Sequence, residues 1–329
     1  MRATYEKLIH GNPSYENYFV VNWCFFSICN FKCSYCPTEL HDGKRRGLPI
    51  EVVQRFCLNV IQNKAPKKVF FEFTGGEITY YKDFLSLFTF LKENGADVGL
   101  ISNGSRDLDF WNKHKHLIDH ICLSFHPEQG DSDHFYEVVR ILNEKATVHV
   151  NIMMLPEKFD SLVSLGKRIA SEISGVSIAL QALFQGMSGK IFDYTPEQKM
   201  FLDNPLLPWG ENIKHHQSPD KVRKVYRGDM KKIHADGSIE PVNPPELIAK
   251  GENNWLGWRC YIGVENIVID FEGNIRRGWC NVGGSIGNIQ DTALFLPTKP
   301  INCTNPNCHC GLDIMATKES ASYKPNSAY

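Results

Sequence analysis

From residue 20 onward the chain alternates short apolar runs with longer stretches in which apolar positions recur every three or four residues. The short runs, residues 20–27, 68–74, 97–102, 120–126, 147–154 and 176–182, have the length and the β-branched or aromatic content of strands. The intervening stretches, residues 49–63, 81–94, 107–115, 132–143 and 160–173, carry one apolar face each and predict amphipathic helices. Pro49 suits the first turn of its helix, where its missing N–H leaves no bond unmade. Strands alternating with helices of this length predict βαβ units on a parallel sheet. Six units fall short of eight-fold closure, so the expected fold is α/β, a partial (β/α)6 TIM-like barrel with ligands at the C-terminal ends of its strands.

Beyond residue 183 the rhythm is lost. Gly186, Gly189, Pro196, Pro205, Pro208 and Pro219 punctuate a long connection with one helix expected near residues 196–202. It carries the basic run HHQSPDKVRKVYRGDMKK, read as a solvated face or as a contact for an acidic electron donor or a phosphate-bearing substrate. Two hairpins follow, over residues 226–242 turning at Asp236-Gly237 and over 264–279 turning at Glu272-Gly273. The polar tail after Lys318 reads as frayed. The expected division is a barrel over 1–185, a connection over 186–255 and a small C-terminal hairpin domain over 256–329.

Composition narrows the function. The chain has 329 residues, 42% hydrophobic and 22% charged, enough to bury a sizeable core, and a formal net charge of -1. No global field favours nucleic acid or an anionic membrane. The first residues lack the apolar core of a signal peptide and no apolar run reaches membrane-spanning length, so a cytoplasmic location is expected. In that reducing compartment, eleven cysteines point to metal binding or reactive thiols rather than disulfides. They cluster at both ends: Cys24, Cys29, Cys33 and Cys36 near the front, and Cys260, Cys280, Cys303, Cys308 and Cys310 near the back. Cys57 and Cys122, in apolar surroundings, read as small buried hydrophobes, and Cys24 as core too.

CNFKCSYC follows the first expected strand directly, so Cys29, Cys33 and Cys36 belong at the top of the barrel. Zinc with His41 as fourth ligand is one reading. An iron–sulfur cubane normally takes four cysteines; three would leave one iron open to an outside ligand. This loop resembles the CxxxCx-aromatic-C loop of the radical SAM superfamily, with Tyr35 as the aromatic residue. FTGGEIT, after the second strand, resembles that family's GGE motif at Gly75, Gly76 and Glu77. The resemblance runs from about Asn22 to Gln181. It implies a [4Fe–4S] cluster whose open iron chelates the amino and carboxylate groups of S-adenosylmethionine (SAM). An electron into the cluster then cleaves SAM to methionine and a 5'-deoxyadenosyl radical. It also implies that Gly75 and Gly76 let the backbone approach the methionine end, and that Glu77 supports that loop or the ammonium.

Further candidates follow at the strand ends. Ser102 and Asn103, in ISNGS, are expected to bind ribose or the methionine carboxylate, unless they form an ordinary Asn-Gly turn. Ser124 and His126 share a face of the fourth strand, two residues apart, and His126 is either the best-placed base or a satisfied histidine at the barrel top. Asn151 shares a face with Met153 on the fifth strand, and Gln181 is a polar residue in the apolar run of the sixth. Ser124, Asn151 and Gln181 are structural or cofactor-facing.

The back of the chain, CYIGVENIVIDFEGNIRRGWC followed by GNI and NCTNPNCHCG, places Cys260 and Cys280 at the two ends of a hairpin. This resembles the SPASM/twitch extension of radical SAM enzymes, and five cysteines suit the shorter twitch type. The resemblance implies an auxiliary [4Fe–4S] cluster on Cys260, Cys280 and two of Cys303, Cys308 and Cys310. It would accept an electron from a substrate radical, relay electrons or bind substrate; a structural zinc is the alternative. Enzymes of this build modify peptides, including crosslinking maturation, or oxidise small molecules. Only 28 residues precede Cys29, fewer than a peptide-recognition domain needs, which favours a small molecule or a separately presented peptide. An electron donor such as flavodoxin or ferredoxin is expected. A non-catalytic metal protein would not need the GGE motif, and near-neutral charge argues against nucleic-acid modification.

Overall fold

Apolar positions facing one way on each strand, and one stripe on each helix, leave these elements a single economical arrangement, a parallel sheet with helices on one face. The computed structural model describes residues 5–185, 190–203 and 229–323. In chain order the elements are β1 (Lys7–His10), β2 (Tyr18–Phe26), α1 (Ile50–Lys64), β3 (Lys68–Gly75), α2 (Phe84–Glu93), β4 (Asp97–Ser102), α3 (Leu108–His114) and β5 (His120–Phe125). Next come α4 (Ser132–Asn143), β6 (Thr147–Met154), α5 (Phe159–Glu172), β7 (Ser177–Ala182), α6 (Pro196–Asp203), β8 (Met230–Ile233), β9 (Ile239–Val242) and α7 (Pro244–Ala249). The chain continues through β10 (Arg259–Cys260), β11 (Asn266–Ile269), β12 (Asn274–Arg276), β13 (Ser285–Asn288), β14 (Ile301–Asn302), α8 (Gly311–Ile314) and β15 (Lys318–Glu319).

The six expected strands are β2 to β7, side by side and parallel, each pair joined by an expected helix. Helix α4 shows why they dock. Phe135, Val138, Val139 and Leu142 recur at helical spacing and are buried, and the Asp131 carboxylate caps the helix by accepting from the His134 N–H at 2.7 Å. On β6, Val148, Val150, Ile152 and Met154 are buried in the layer shared with the helices, while Thr147, His149, Asn151 and Met153 turn the other way. Each fully buried Val, Leu or Phe in that layer contributes about 1.5–3 kcal/mol of transfer free energy. Pro49 stands one place earlier than expected. It is the N-cap of α1, with φ -53 and ψ 137, and its carbonyl accepts from the Val52 and Val53 N–H groups.

The second expected hairpin exists but does not stand apart. Strand β11 runs parallel to β2, Asn266 opposite Val20 through Ile269 opposite Trp23, so β11, β12 and β13 extend the barrel sheet to nine strands. The turn is made by Glu272 and Gly273, whose φ of +81 only glycine adopts without strain. A second, antiparallel sheet has the order β14-β10-β15-β1-β8-β9. Its inner strand β1 comes from a stretch that gave no strand signal, and it pairs with β8 and β15 from more than 200 residues later. Strands β8 and β9 form the first expected hairpin around Asp236-Gly237. Residues 204–228, which hold most of the basic run along with Pro205, Pro208 and Pro219, lie outside the described residues, as do Gly186 and Gly189. Lys232, at the end of that run, is not a solvated charge: it is 2% exposed and paired with Glu240 and Glu252. Nor is the tail frayed at its start. Lys318, Glu319 and Ser320 are buried, with Glu319 bridging Lys7 and Arg259 at 3.0 Å each.

Candidate active site

Strand β2 delivers the chain to the cysteine loop, and β3 delivers it to the two glycines beside that loop. Cys29, Cys33 and Cys36 open onto one cavity of about 200 Å3. Its wall is completed by Phe31, Leu40, His41, Thr74, Gly75, Gly76, Ile101, Ser102, Asn103, Ser124 and His126. The C-terminal ends of β3, β4 and β5 thus meet the three thiols, as barrel topology requires. Burial pushes all three thiols up, Cys33 to about 12. They are neutral until a metal displaces their protons.

The glycine pair is crowded by protein as well as facing the cavity. A Cβ on Gly76 would lie 2.0 Å from the Ile28 carbonyl oxygen, and one on Gly75, at φ +126, 2.3 Å from that of Phe26. The Gly76 N–H donates to Phe26 O at 2.7 Å and the Glu77 N–H to Ile28 O at 2.8 Å. Only glycine lets the end of β3 lie this close against the entry to the cysteine loop.

Of the two roles implied for Glu77, the one visible here is support. It is completely buried and accepts from Thr79 Oγ1 at 2.7 Å, Thr79 N at 3.3 Å, Ser102 Oγ at 2.9 Å and Asn103 N at 2.6 Å. It does not line the cavity. Burial pushes its carboxyl up, opposed by those donors. Glu77 therefore ties the end of β3 to the end of β4 and fixes Ser102 and Asn103. The Asn103 amide in turn donates to Asn30 Oδ1 at 3.0 Å and stands 3.9 Å from Cys29 Sγ. Glu77→Gln keeps the shape but turns an amide NH2 toward donors, so we expect at least about 2 kcal/mol lost from stability by denaturant unfolding. Wild-type stability in this variant would overturn the bracing role.

His126 lines the cavity, with its Nδ1 3.0 Å from the Tyr35 hydroxyl and its ring stacked on that of Tyr35. Burial lowers its pKa to about 4, so it is neutral at ordinary pH and only a weak base. Ser34, inside the cysteine loop, is held by the Glu128 carboxylate, which accepts from both its N–H and its hydroxyl. Glu128 was not singled out from the sequence; it lies in the loop after β5, and no motif marks its partner 94 residues away.

Asn151 and Gln181 do not reach this cavity. They form a polar ladder on the inner face of the sheet: Gln181 Nε2 donates to Asn151 Oδ1 at 3.2 Å, and Asn151 Nδ2 stands 3.1 Å from Cys122 Sγ. Cys122 is thus half-buried in a polar row rather than a core hydrophobe. Cys24 is half-buried as well, its thiol pushed up to about 11 by burial and by Asp270. Cys57 alone of the three is wholly buried.

At the other end, Cys260, Cys280, Cys303 and Cys308 line a second, smaller void with Ile262, Val282, Asn305, Asp313 and Lys318. Cys310, the N-cap of α8, is not part of that wall. Asp313 is buried and accepts from the Trp279 and Cys280 N–H groups, fixing the Cys280 backbone. The void measures about 10 Å3, room for an ion. Yet among the described residues no three His, Cys, Asp or Glu side chains come close enough to share a single ion. Size and spacing disagree, and the donor set is the firmer guide. Four thiols facing a buried lysine suit an anionic metal–thiolate group. No helix among the described residues is long and apolar enough to cross a membrane.

Several known proteins are similar to parts of this chain. Two curated relatives, the GTP 3',8-cyclases of Actinobacillus pleuropneumoniae serotype 3 (strain JL03) and serotype 7 (strain AP76), are each 37% identical over 95 residues. The match spans 26% of this chain and 26% of each relative. Among solved structures, native anSMEcpe with bound AdoMet is 15% identical, with 84% of this chain and 78% of that one covered and a TM-score of 0.49. Streptococcus suis SuiB is 14% identical, with 83% and 64% covered and a TM-score of 0.48. Residues 23–169 match the model of the Radical SAM superfamily, a span that holds the cysteine loop, the GGE motif and the strand ends around the cavity. The stretch that builds the cavity, residues 23–169, thus matches the radical SAM superfamily, whose members use a [4Fe–4S] cluster and S-adenosylmethionine.

Proposed function

We propose that this radical SAM enzyme abstracts a hydrogen atom from a small polar molecule or a peptide side chain, and that its second group of cysteines holds an auxiliary [4Fe–4S] cluster. One observation carries the reading: two separate groups of thiols each converge on a void, three at the barrel mouth and four beside the small sheet. The first cluster, when bound, supplies the electron that turns SAM into methionine and a 5'-deoxyadenosyl radical.

The chain's own residues set the geometry around that event. Cys29, Cys33 and Cys36 are the proposed cluster ligands. Gly75 and Gly76 keep side chains out of the adjoining wall, while Ser102, Asn103 and Ser124 supply hydrogen-bonding groups for SAM. His126, backed by the Tyr35 ring stacked on it, closes the side toward β5, while Tyr35 itself does not line the cavity. The polar ladder of Cys122, Asn151 and Gln181 offers a substrate hydrogen-bonding groups on the inner face of the sheet. A hydrogen atom lost to the radical leaves a carbon radical on the substrate; loss of one proton and one electron then completes a two-electron oxidation. Cys260, Cys280, Cys303 and Cys308 are the proposed ligands of the acceptor for that electron, and Cys310 the spare thiol. Peptide crosslinking uses the same first step and differs in what the substrate radical attacks. The electron donor is proposed to be a flavodoxin or a ferredoxin.

The test is metal analysis after anaerobic reconstitution. About eight irons per chain are expected, four for each cubane. Cys280→Ala should retain SAM cleavage, assayed as 5'-deoxyadenosine, yet lose most product. Four irons with one zinc in the wild type would replace the acceptor with a structural ion.

A further inference from the structure

Lys318 is 1% exposed, one of the largest fully buried side chains of the protein. Its Nζ lies 2.8 Å from each of three carbonyl oxygens, those of Asp313, Ile314 and Ala316. A carbonyl only accepts, so three such bonds require three N–H donors, which the ammonium has and the neutral amine lacks. The side chain is therefore charged. The ring of Trp255 covers another side, 4.6 Å from Nζ to its centroid.

A buried cation is costly unless an opposite charge lies near it. Two carboxylates act on it at close range: Asp313, which shares the wall of the void and accepts from the Trp279 and Cys280 N–H groups, and Glu265, which accepts from the Thr317 N–H. Glu319 bridges Lys7 and Arg259. The thiolates of a metal-bound site would add the remaining negative charge. The void beside Lys318 is walled by Cys260, Cys280, Cys303 and Cys308. The sheet fixes this proximity, because β15 pairs with β10 so that Lys318 stands directly opposite Cys260. Strand β1 holds Lys318 from its other side, Leu8 being its partner. The ammonium thus keeps its place whether or not a metal is bound.

We propose that Lys318 is a fixed tuning cation for the auxiliary centre, which stabilises extra negative charge on a metal–thiolate group held by the four cysteines and so makes it easier to reduce by one electron. The proposal rests on the auxiliary-cluster reading above. Net charge close to a cluster is among the main determinants of its potential. Ile262 and Val282 also line the void, which leaves little room for water to screen the interaction. Lys318 is a positioning residue in this account. It does not line the barrel cavity.

The test uses the Cys29→Ala/Cys33→Ala/Cys36→Ala background, which leaves one cluster site, reconstituted and titrated with dithionite under electron paramagnetic resonance. About four irons and four sulfides per chain are expected; zinc in their place would overturn the cluster reading itself, whatever Lys318 does. With iron present, Lys318→Met should lower the reduced-to-oxidised ratio at a fixed potential by about tenfold, which is 59 mV for a one-electron couple. A potential equal to wild type in Lys318→Met, with iron retained, would overturn the proposal. If Lys318→Met and Lys318→Gln fold by circular dichroism but hold no iron, Lys318→Arg decides. Iron retained in Lys318→Arg means that the charge is what the centre requires, and iron lost in all three means that Lys318 only packs.

Discussion

Replacing Cys29, Cys33 and Cys36 together with alanine should reduce 5'-deoxyadenosine formation from SAM to background while the C-terminal metal stays in place. Among the described residues, the three thiols are the only cysteines lining the barrel-mouth cavity, and they are the proposed ligands of the cluster that cleaves SAM. The substitutions are small and remove only weak contacts to sulfur, such as that of the Phe31 N–H with Cys29 Sγ at 3.4 Å. Ser34 remains clamped by Glu128, and the Gly76–Phe26 and Glu77–Ile28 backbone bonds remain. Iron should therefore fall by about four per chain, from about eight, with the far-ultraviolet circular dichroism unchanged. Deoxyadenosine made at the wild-type rate by the triple variant would remove these cysteines from the reaction.

Gly76→Val should be the most damaging single substitution at the site, and its damage begins in the fold. A side chain there meets the Ile28 carbonyl at 2.0 Å, a contact that only movement of the backbone relieves. The cost is expected to be about 3 kcal/mol or more. Moving the end of β3 also pulls the Glu77 N–H off Ile28 O and shifts the cysteine loop, so both iron retention and SAM affinity should fall. Calorimetry under anaerobic conditions and iron analysis measure the two losses. Full iron content with unchanged affinity would show that the two backbones need not lie this close.

The sequence by itself determined the layered α/β architecture and the chemistry of the barrel mouth. Six strands and five helices were legible between residues 20 and 182 because local signals suffice there. Apolar runs of strand length and apolar stripes of helix length each decide one element without reference to distant residues. The cysteine loop was legible for the same reason, its three thiols lying within eight residues.

Tertiary structure decided everything that depends on pairing across long separations. It put β1 inside the second sheet, though Lys7–His10 is only four residues of weak pattern whose partners lie far along the chain. It joined the C-terminal hairpin to the barrel sheet beside β2, because an apolar strand such as NIVI fits either sheet by composition alone. It turned Glu77 inward as a brace, moved Asn151 and Gln181 away from the cavity, and brought Cys303 and Cys308 to the void while leaving Cys310 outside its wall. Spacing cannot decide between thiols five and two residues apart. What decides is which side chains a β-strand and a one-turn helix aim into the same small volume, and Lys318 is there because the last strand sets it opposite Cys260.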